Sequence, residues 1–519
     1  MCGILFVFTG YEDRIDRRAI LHRGPDKHIE HTTSAGLFVF DRLAINGLGD
    51  TGDQPIVANG NALVCNGEIY NYDMLRNIMR TSESSSDCAV LFDMLLSQSD
   101  HEVVFRTVEG EFSCVFFDNT RKEIVVARDS FGVRPLFVAI DEFTGDTIGF
   151  ASEAKSFTTN NLVTQFPPGC YWKSTTREYV KYALDPSFKP VLDESSYGVH
   201  VQHVQRLVTN AVSARLAMNE RSKPAFFLSG GLDSSIVAAI ASSLSDGPID
   251  TFSIGTVNDS PDLMAARIVA DHIGSRHVVV EFTPDEAIEY IPRVIYHLES
   301  YDCTTVRAAV PMYILSEYIA KHTDHKVVLS GEGADDLFGG YLYFQNAPTH
   351  QDFHDETIRL LKNIHQYDGL RADRCTAGNG LEVRVPFLDP MLVSYVTTRV
   401  PTAMKHPLEN NGVEKGILRA AFAHLLPAEI INRQKNGMSD AVGYEWVDFL
   451  RKVAGSKVSK ENNMEYIRNP PQSDEERWYR QIHESFFGTG VVSHQEIWRP
   501  RWTDVIDPSA RCLKKIFMY

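Results

Sequence analysis

Hydrophobic and polar positions divide the 519-residue chain into two unlike parts. Up to about residue 185, short runs of Val, Ile and Phe are broken by Gly, Asp and Asn turns: GILFVF (Gly3–Phe8), GLFVF (Gly36–Phe40), ALVCNGEIY (Ala62–Tyr70), FSCVFFD (Phe112–Asp118) and EIVVARD (Glu123–Asp129). This pattern predicts a strand-dominated part, with helices only around YDMLRNIMR (72–80) and DCAVLFDMLLS (87–97). The polar, proline-bearing stretch at 186–196 reads as a linker. From residue 197 the pattern changes. HVQHVQRLVTNAVSARLAM (200–218) has helical spacing, and PAFFLSGGLDSSIVAAIASSL (224–244) reads as strand, glycine turn and helix. A strand at IDTFSIG (249–255), a helix at SPDLMAARIVADHIG (260–274) and a strand and turn at KVVLSGEGADDLFGG (326–340) continue the alternation. Such alternation builds a parallel sheet flanked by helices, and the last 160 residues or so read as mostly helical.

Composition narrows the class. Acidic residues outnumber basic ones by 68 to 51, a formal net charge of -17, which disfavours generic binding to nucleic acid or an anionic membrane. No apolar run reaches about 18 residues, and the amino end lacks the basic region of a signal peptide, so a cytoplasmic protein without membrane contact is expected. The eight cysteines are scattered, without CxxC pairs, and suggest neither a disulfide framework nor a zinc site.

The most specific short motif is LSGGLDSS, Leu228, Ser229, Gly230, Gly231, Leu232, Asp233, Ser234 and Ser235. Its glycines let backbone N–H groups turn toward an anion, its serines add donors, and the helix that follows presents its positive end. It lacks the Walker lysine and the GxGxxG spacing, so neither a P-loop kinase nor a dinucleotide site is indicated. A plain strand-to-helix turn is the competing reading. SGGxDS after a strand resembles the pyrophosphate loop of the ATP pyrophosphatases, which split ATP between the α and β phosphates. Asp233, with Asp335 of the second glycine-rich turn, then offers hard oxygen ligands for the Mg2+ that bridges ATP phosphates; helix capping is the simpler alternative for both.

Cys2 raises a different chemistry. With Met1 removed, one residue would carry both a thiol and an α-amine titrating near neutrality, the logic of amino-terminal nucleophile hydrolases. A cysteine opening an apolar strand is more often inert. However, HRGPD (His22–Asp26), DRLAING (Asp41–Gly47), CNGEIYN (Cys65–Asn71) and SSDCAV (Ser85–Val90) follow in the order of class II glutamine amidotransferase domains. That resemblance implies that Arg42 with the segment Leu43, Ala44, Ile45 and Asn46 receives glutamine. It implies too that Glu68 and Asp87 meet its ammonium group, and that the Asn66 amide and Gly67 N–H form an oxyanion hole. Taken singly, Arg42 could be a surface ion pair, Asn66-Gly67 a hairpin turn and Asp87 a helix cap.

The two parts together resemble the class B, glutamine-hydrolysing asparagine synthetases over nearly the whole chain. Further support comes from RDSFGVRPLF (128–137), ASEAKSF (151–157), FPPG (166–169), YDCTTVRA (301–308), GLEVRVPFLD (380–389) and RQKNGMSD (433–440). The resemblance implies an αββα sandwich of antiparallel sheets at 1–185. A doubly wound parallel-sheet synthetase domain with a helical C-terminal part would span 197–519. It also implies aspartate, glutamine and ATP as substrates, β-aspartyl-AMP as intermediate, an internal ammonia passage and a homodimer. ATP would be held by Leu228, the Ser229–Ser235 loop, Ile254, Ser330 and Gly331, with Glu332 and Lys435 in the chemistry. The chain departs from the family in a short Cys2-to-His22 spacing, which implies a trimmed helix, in Asp336 where Glu is usual, and in Asn436 and Met438 after Lys435. An amidotransferase or cyclising synthetase acting on another carboxylate is the alternative, and a non-catalytic binding protein is the rival from a different class.

Overall fold

The structure, a computed structural model, describes residues 1–79, 86–158, 161–183, 196–217, 223–257, 260–406, 413–435, 446–458, 466, 468–488 and 496–503. The expected linker, apart from Ser196, lies outside these residues, as do Ser85, Asn436 and Met438.

Two six-stranded sheets build the first part. One runs, edge to edge, Asn161–Gln165, Phe137–Asp141, Thr147–Ala151, Gly3–Phe8, Gly36–Arg42 and Lys27–Thr32. The other runs Tyr179–Lys181, Cys170–Lys173, Glu123–Arg128, Gly110–Asp118, Asn61–Ile69 and Ile56–Ala58. All pairings within them are antiparallel. Strand Gly3–Phe8 explains its own unbroken apolar run. Ile4 and Phe6 point into the core between the sheets with Phe38, Val64, Val115 and Trp172, while Leu5 and Val7 point the other way, onto Ile20 and Ala154. Helices Tyr72–Met79 and Cys88–Ser97 cover the second sheet as anticipated, joined by a third, His101–Thr107, that the apolar pattern did not reveal. Its amino end is instead set by Asp100, whose side chain accepts from Glu102 and Val103 N–H groups. Outside the first sheet, residues 9–26 form turns and a 3-10 turn at Leu21–Arg23, so this layer is trimmed, in line with the short Cys2-to-His22 spacing.

The second part is a five-stranded, wholly parallel sheet ordered Arg276–Phe282, Asp250–Thr256, Ala225–Phe227, Val327–Leu329, Glu382–Arg384. Its two edge strands escaped the sequence reading. Arg276–Phe282 carries a legible run of three valines that the alternation above left out, and the three-residue Glu382–Arg384 lies among helices. In chain order the sheet reads 3-2-1-4-5, so winding reverses between Ala225–Phe227 and Val327–Leu329. Ligands bind at such a reversal, beyond the carboxyl ends of the strands. One continuous apolar cluster joins the two parts, running from Met1, Leu43, Ile45, Phe131 and Val133 into Val383, Val385 and Phe387.

Candidate active sites

Cys2 sits at the mouth of strand Gly3–Phe8, partly exposed, where its Sγ accepts the Leu43 N–H at 3.4 Å. With Met1 in place, burial pushes the thiol up to about 11 and the Met1 amine down to about 5; that amine donates to the Leu381 carbonyl at 3.1 Å.

Among the remaining residues of the first site, Asn46 reaches Glu68. Its amide donates to Glu68 at 2.7 Å, and Glu68 lies on strand Asn61–Ile69 beside Asn66 and Gly67. Asn66 is mid-strand, opposite Ser113, and not in a hairpin turn. It is fully buried, and neither its Nδ2 nor its Oδ1 has a hydrogen-bond partner. A buried amide without partners costs about 1–3 kcal/mol, an expense that a ligand oxygen can offset. Asp87 precedes helix Cys88–Ser97 yet makes no capping bond; its carboxylate accepts the Ile69 N–H at 2.8 Å. Burial pushes Asp87 up to about 6, and burial beside Asp87 also raises Glu68. Glu68 already meets one cation, the buried Arg384 at 3.3 Å, and two carboxyls that are costly to ionise together can take another. Arg42 is buried, not a surface ion pair. It donates to Asp53 at 2.7 Å, to the Gly49 carbonyl at 3.0 Å and to the Gly47 carbonyl, which fixes its guanidinium beside the Leu43–Asn46 loop.

At the second site the two glycine-rich turns touch. A side chain on Gly331 would stand 2.8 Å from the Ser234 nitrogen, and one on Gly230, where φ is +69°, would stand 2.3 Å from the Ala266 nitrogen. Within the loop, the Ser229 hydroxyl accepts the Gly231 N–H at 3.2 Å and lies 3.1 Å from the Ser234 hydroxyl. Helix Leu232–Leu244 starts at Gly231 without a side-chain cap, leaving its first N–H groups for an anion. The Ser235 hydroxyl is buried without a partner. Leu228 continues the strand through a 2.8 Å bond to the Phe252 carbonyl, Ile254 lies on the adjacent strand, and the Ser330 N–H donates to the Arg384 carbonyl at 3.1 Å.

A residue that no motif announced organises this site. Lys415, buried and in the left-handed region at φ 58°, places its ammonium 2.6 and 2.7 Å from the two Asp233 oxygens and 2.5 Å from Asp335. Lys435 pairs with the other Asp335 oxygen at 2.6 Å, and its N–H donates to Glu414 at 2.8 Å. The two lysines, outweighing the cost of burial, hold Asp335 well below the usual carboxylate range, and Asp335 and Asp233 hold Lys435 high. Glu332 pairs with Arg371 at 2.9 Å, and burial raises it above an ordinary carboxylate. Asp336 is also buried, its Oδ2 without a partner; burial and then Asp368, Asp335 and Glu332 raise it well above an ordinary carboxylate. With Asp233, Asp335, Asp336, Glu332 and Asp368 set against Lys415, Lys435 and Arg371, the site keeps an excess of carboxyls.

Comparison with known proteins agrees with this pairing of sites. A profile described as a glutamine amidotransferase domain matches residues 1–178, and one described as asparagine synthase matches 203–352 and 345–506. A Dictyostelium discoideum protein named as a probable glutamine-hydrolysing asparagine synthetase is 36% identical, over 99% of each chain. The chain belongs to the glutamine-hydrolysing asparagine synthetases. The Homo sapiens member of the family is also 36% identical, covering 99% of this chain and 98% of its own, and an Arabidopsis thaliana member is 35% identical over 98% and 94%. An asparagine synthetase of this kind is a glutamine-dependent, ATP-using ligase, and the two sites described above are of the kinds that such a reaction needs.

Proposed function

We propose that the first site hydrolyses glutamine and the second adenylylates aspartate, joining the ammonia to it as asparagine. The single observation that carries the reading is the pairing of a buried, unpartnered Asn66 amide on the strand that also carries Glu68 with two converging glycine-rich turns at the sheet's reversal. After loss of Met1, the Cys2 amine takes the thiol proton and the thiolate attacks the glutamine amide carbon. Charge building on the amide oxygen is met by the Asn66 side-chain N–H and the Gly67 N–H. Glu68 and Asp87 receive the ammonium end of glutamine, and Arg42 receives or frames its carboxylate. Ammonia leaves, taking the proton back, and water releases glutamate from the thioester.

In the second site the β-carboxylate of aspartate attacks the α-phosphorus of ATP, expelling pyrophosphate and forming β-aspartyl-AMP. The Ser229–Ser235 loop and the open helix end cradle the departing phosphates, and Lys435 stabilises negative charge on the phosphoryl group in transfer. Ammonia then attacks the acyl carbon and AMP leaves. Glu332, raised by burial above an ordinary carboxylate, accepts the proton that the attacking nitrogen sheds. Asp233 and Asp335 converge on the Lys415 ammonium, which fills the point between them. Mg2+ arriving with the ATP phosphates would be held beside that lysine by Asp233 and Asp335, hard oxygen ligands, and would screen the phosphate charge. Among the described residues no helix is long and apolar enough to cross a membrane. The described cysteines are all free thiols, which supports a reducing, cytoplasmic setting. Mass spectrometry of the mature amino terminus tests the first step: Cys2 exposed supports it, whereas a retained Met1 leaves no free amine on the nucleophile.

A further inference from the structure

The helix Asp368–Ala377 lies between the two sites and is buried from Gly369 to Ala377. It packs against helices Pro284–Leu298 and Cys303–His322 and strand Glu382–Arg384. Arg371 and Asp373 are two positions apart, and so about 200° apart around the helix axis. Arg371 faces the synthetase site, donating to Glu332 at 2.9 Å and to Asp368 at 2.5 Å. Asp373 faces the other way and accepts both terminal nitrogens of Arg23, at 2.9 and 3.1 Å. Arg23, fully buried, turns its Nε to the Cys2 carbonyl at 3.0 Å. Arg374, next on the helix, pairs with Glu153 at 2.8 Å and Glu299 at 2.9 Å, and Glu153 also accepts from Arg23 at 2.7 Å.

Charge-assisted bonds therefore lead from the Cys2 main chain to one face of this helix and from its other face to Glu332, with the helix backbone linking Asp373 to Arg371. Apolar packing of equal volume would hold the two parts together as well or better, so cohesion does not account for it. A closely packed helix moves as a unit between discrete positions, and displacement of one face displaces the other.

We propose that this helix couples the two reaction centres. Asp373 acts as a positioning residue that, through Arg23, sets the Cys2 main chain according to the state of Glu332 and Arg371. Binding of aspartate and Mg-ATP changes the charges facing Arg371, the helix adjusts, and glutamine hydrolysis is promoted when there is an acceptor for ammonia. The proposal rests on the two-site reading above, and thermodynamics makes the effect on binding reciprocal.

The test uses the full chain. Glutaminase kcat/KM is measured with and without saturating aspartate and Mg-ATP, for the parent and for Asp373→Asn, Asp373→Glu and Arg23→Lys. Ammonia-dependent asparagine formation is followed in parallel. The parent should rise by about fivefold or more, the usual lower range for coupled sites. Asp373→Asn should lower that ratio to below about twofold while ammonia-dependent synthesis stays within about twofold of the parent, and Asp373→Glu should restore part of it. A parent that does not respond, or an Asp373→Asn variant with the parent's ratio, overturns the coupling. Loss of all glutaminase activity in Asp373→Asn, with ammonia-dependent synthesis intact, also overturns it by making Asp373 part of the glutamine site. Should Asp373→Asn not fold, the ratio in Arg23→Lys decides in the same way. Failure of the two-site reading is distinct, since it appears as no asparagine from ammonia in the parent.

Discussion

Replacing Lys415 with Met removes one buried positive charge and little volume, and its consequences follow from the contacts it makes. The ammonium touches both oxygens of Asp233 and one of Asp335, within 2.7 Å in each case. Without it, Asp233 loses the ion pair it makes with Lys415, and Asp335 keeps Lys435 alone. Breaking a buried pair from one side costs about 3–5 kcal/mol, because the stranded charge stays out of water. At the usual entropy of unfolding per residue, that loss lowers the midpoint of a domain of about 320 residues by roughly 4–7 °C. Exposed to each other, the two carboxylates should then recruit a cation. Mg2+ at tenfold its dissociation constant returns about 1.4 kcal/mol, so added Mg2+ should raise the variant's midpoint more than the parent's. Scanning fluorimetry over a Mg2+ series, with Ca2+ and NaCl as controls, reads both effects. Ammonia-dependent synthesis should fall by about 10²–10³-fold, the usual consequence of losing one preorganised charge near a phosphoryl transfer. A variant as stable as the parent, or no more responsive to Mg2+, would refute the assignment of Lys415 as the charge that holds the two aspartates together.

Other outcomes follow from the same geometry. Cys2→Ala should abolish glutamine-dependent synthesis and leave ammonia-dependent synthesis within about twofold, read by asparagine formation from each donor; loss of both would make Cys2 structural. Asn66→Ala should lower glutaminase kcat by about 10²–10³-fold with little change in KM, since the lost bond forms mainly in the transition state. Asp336, whose ionisation is opposed by burial and by its acidic neighbours, should tolerate Asn with activity within about threefold, whereas Asp335→Asn, which removes a charge paired with two lysines, should lose about 10²-fold or more, both measured as ammonia-dependent synthesis. Asp87 stands near 6, above the usual carboxylate value, so in the folded protein it takes up a proton on acidification before the unfolded chain does. Its ionisation therefore costs stability as pH rises from about 4 to 6, and kcat/KM for glutamine should fall as pH drops below about 6 because the ammonium partner is lost. Asp87→Asn should remove that inflection from the pH profile.

Local pattern was enough for much of this architecture. Both glycine-rich turns announce themselves as strand ends followed by helices, and the sheet's reversal brings them together. The order of Cys2, Arg42, Asn66 and Asp87 pointed to one site through the resemblance of their motifs to class II glutamine amidotransferase domains. The simpler readings fail on geometry: Asn66 is in mid-strand, Asp87 caps nothing, Arg42 is buried and Lys435 pairs with Asp335. What stayed hidden depends on distance along the chain. Lys415 meets Asp233 across 182 positions, and Arg23 meets Asp373 across 350, so neither leaves a short-range signature. Strand Glu382–Arg384 was missed because three residues between helical stretches carry too little periodicity; its partners, not its own pattern, make it a strand.

The central claim is a coupled reaction with AMP and pyrophosphate as products. Purified protein incubated with aspartate, glutamine and Mg-ATP should yield asparagine, glutamate, AMP and pyrophosphate, with AMP and asparagine in equal amounts and both dependent on aspartate. Release of ADP, or AMP formed without aspartate, would contradict the account.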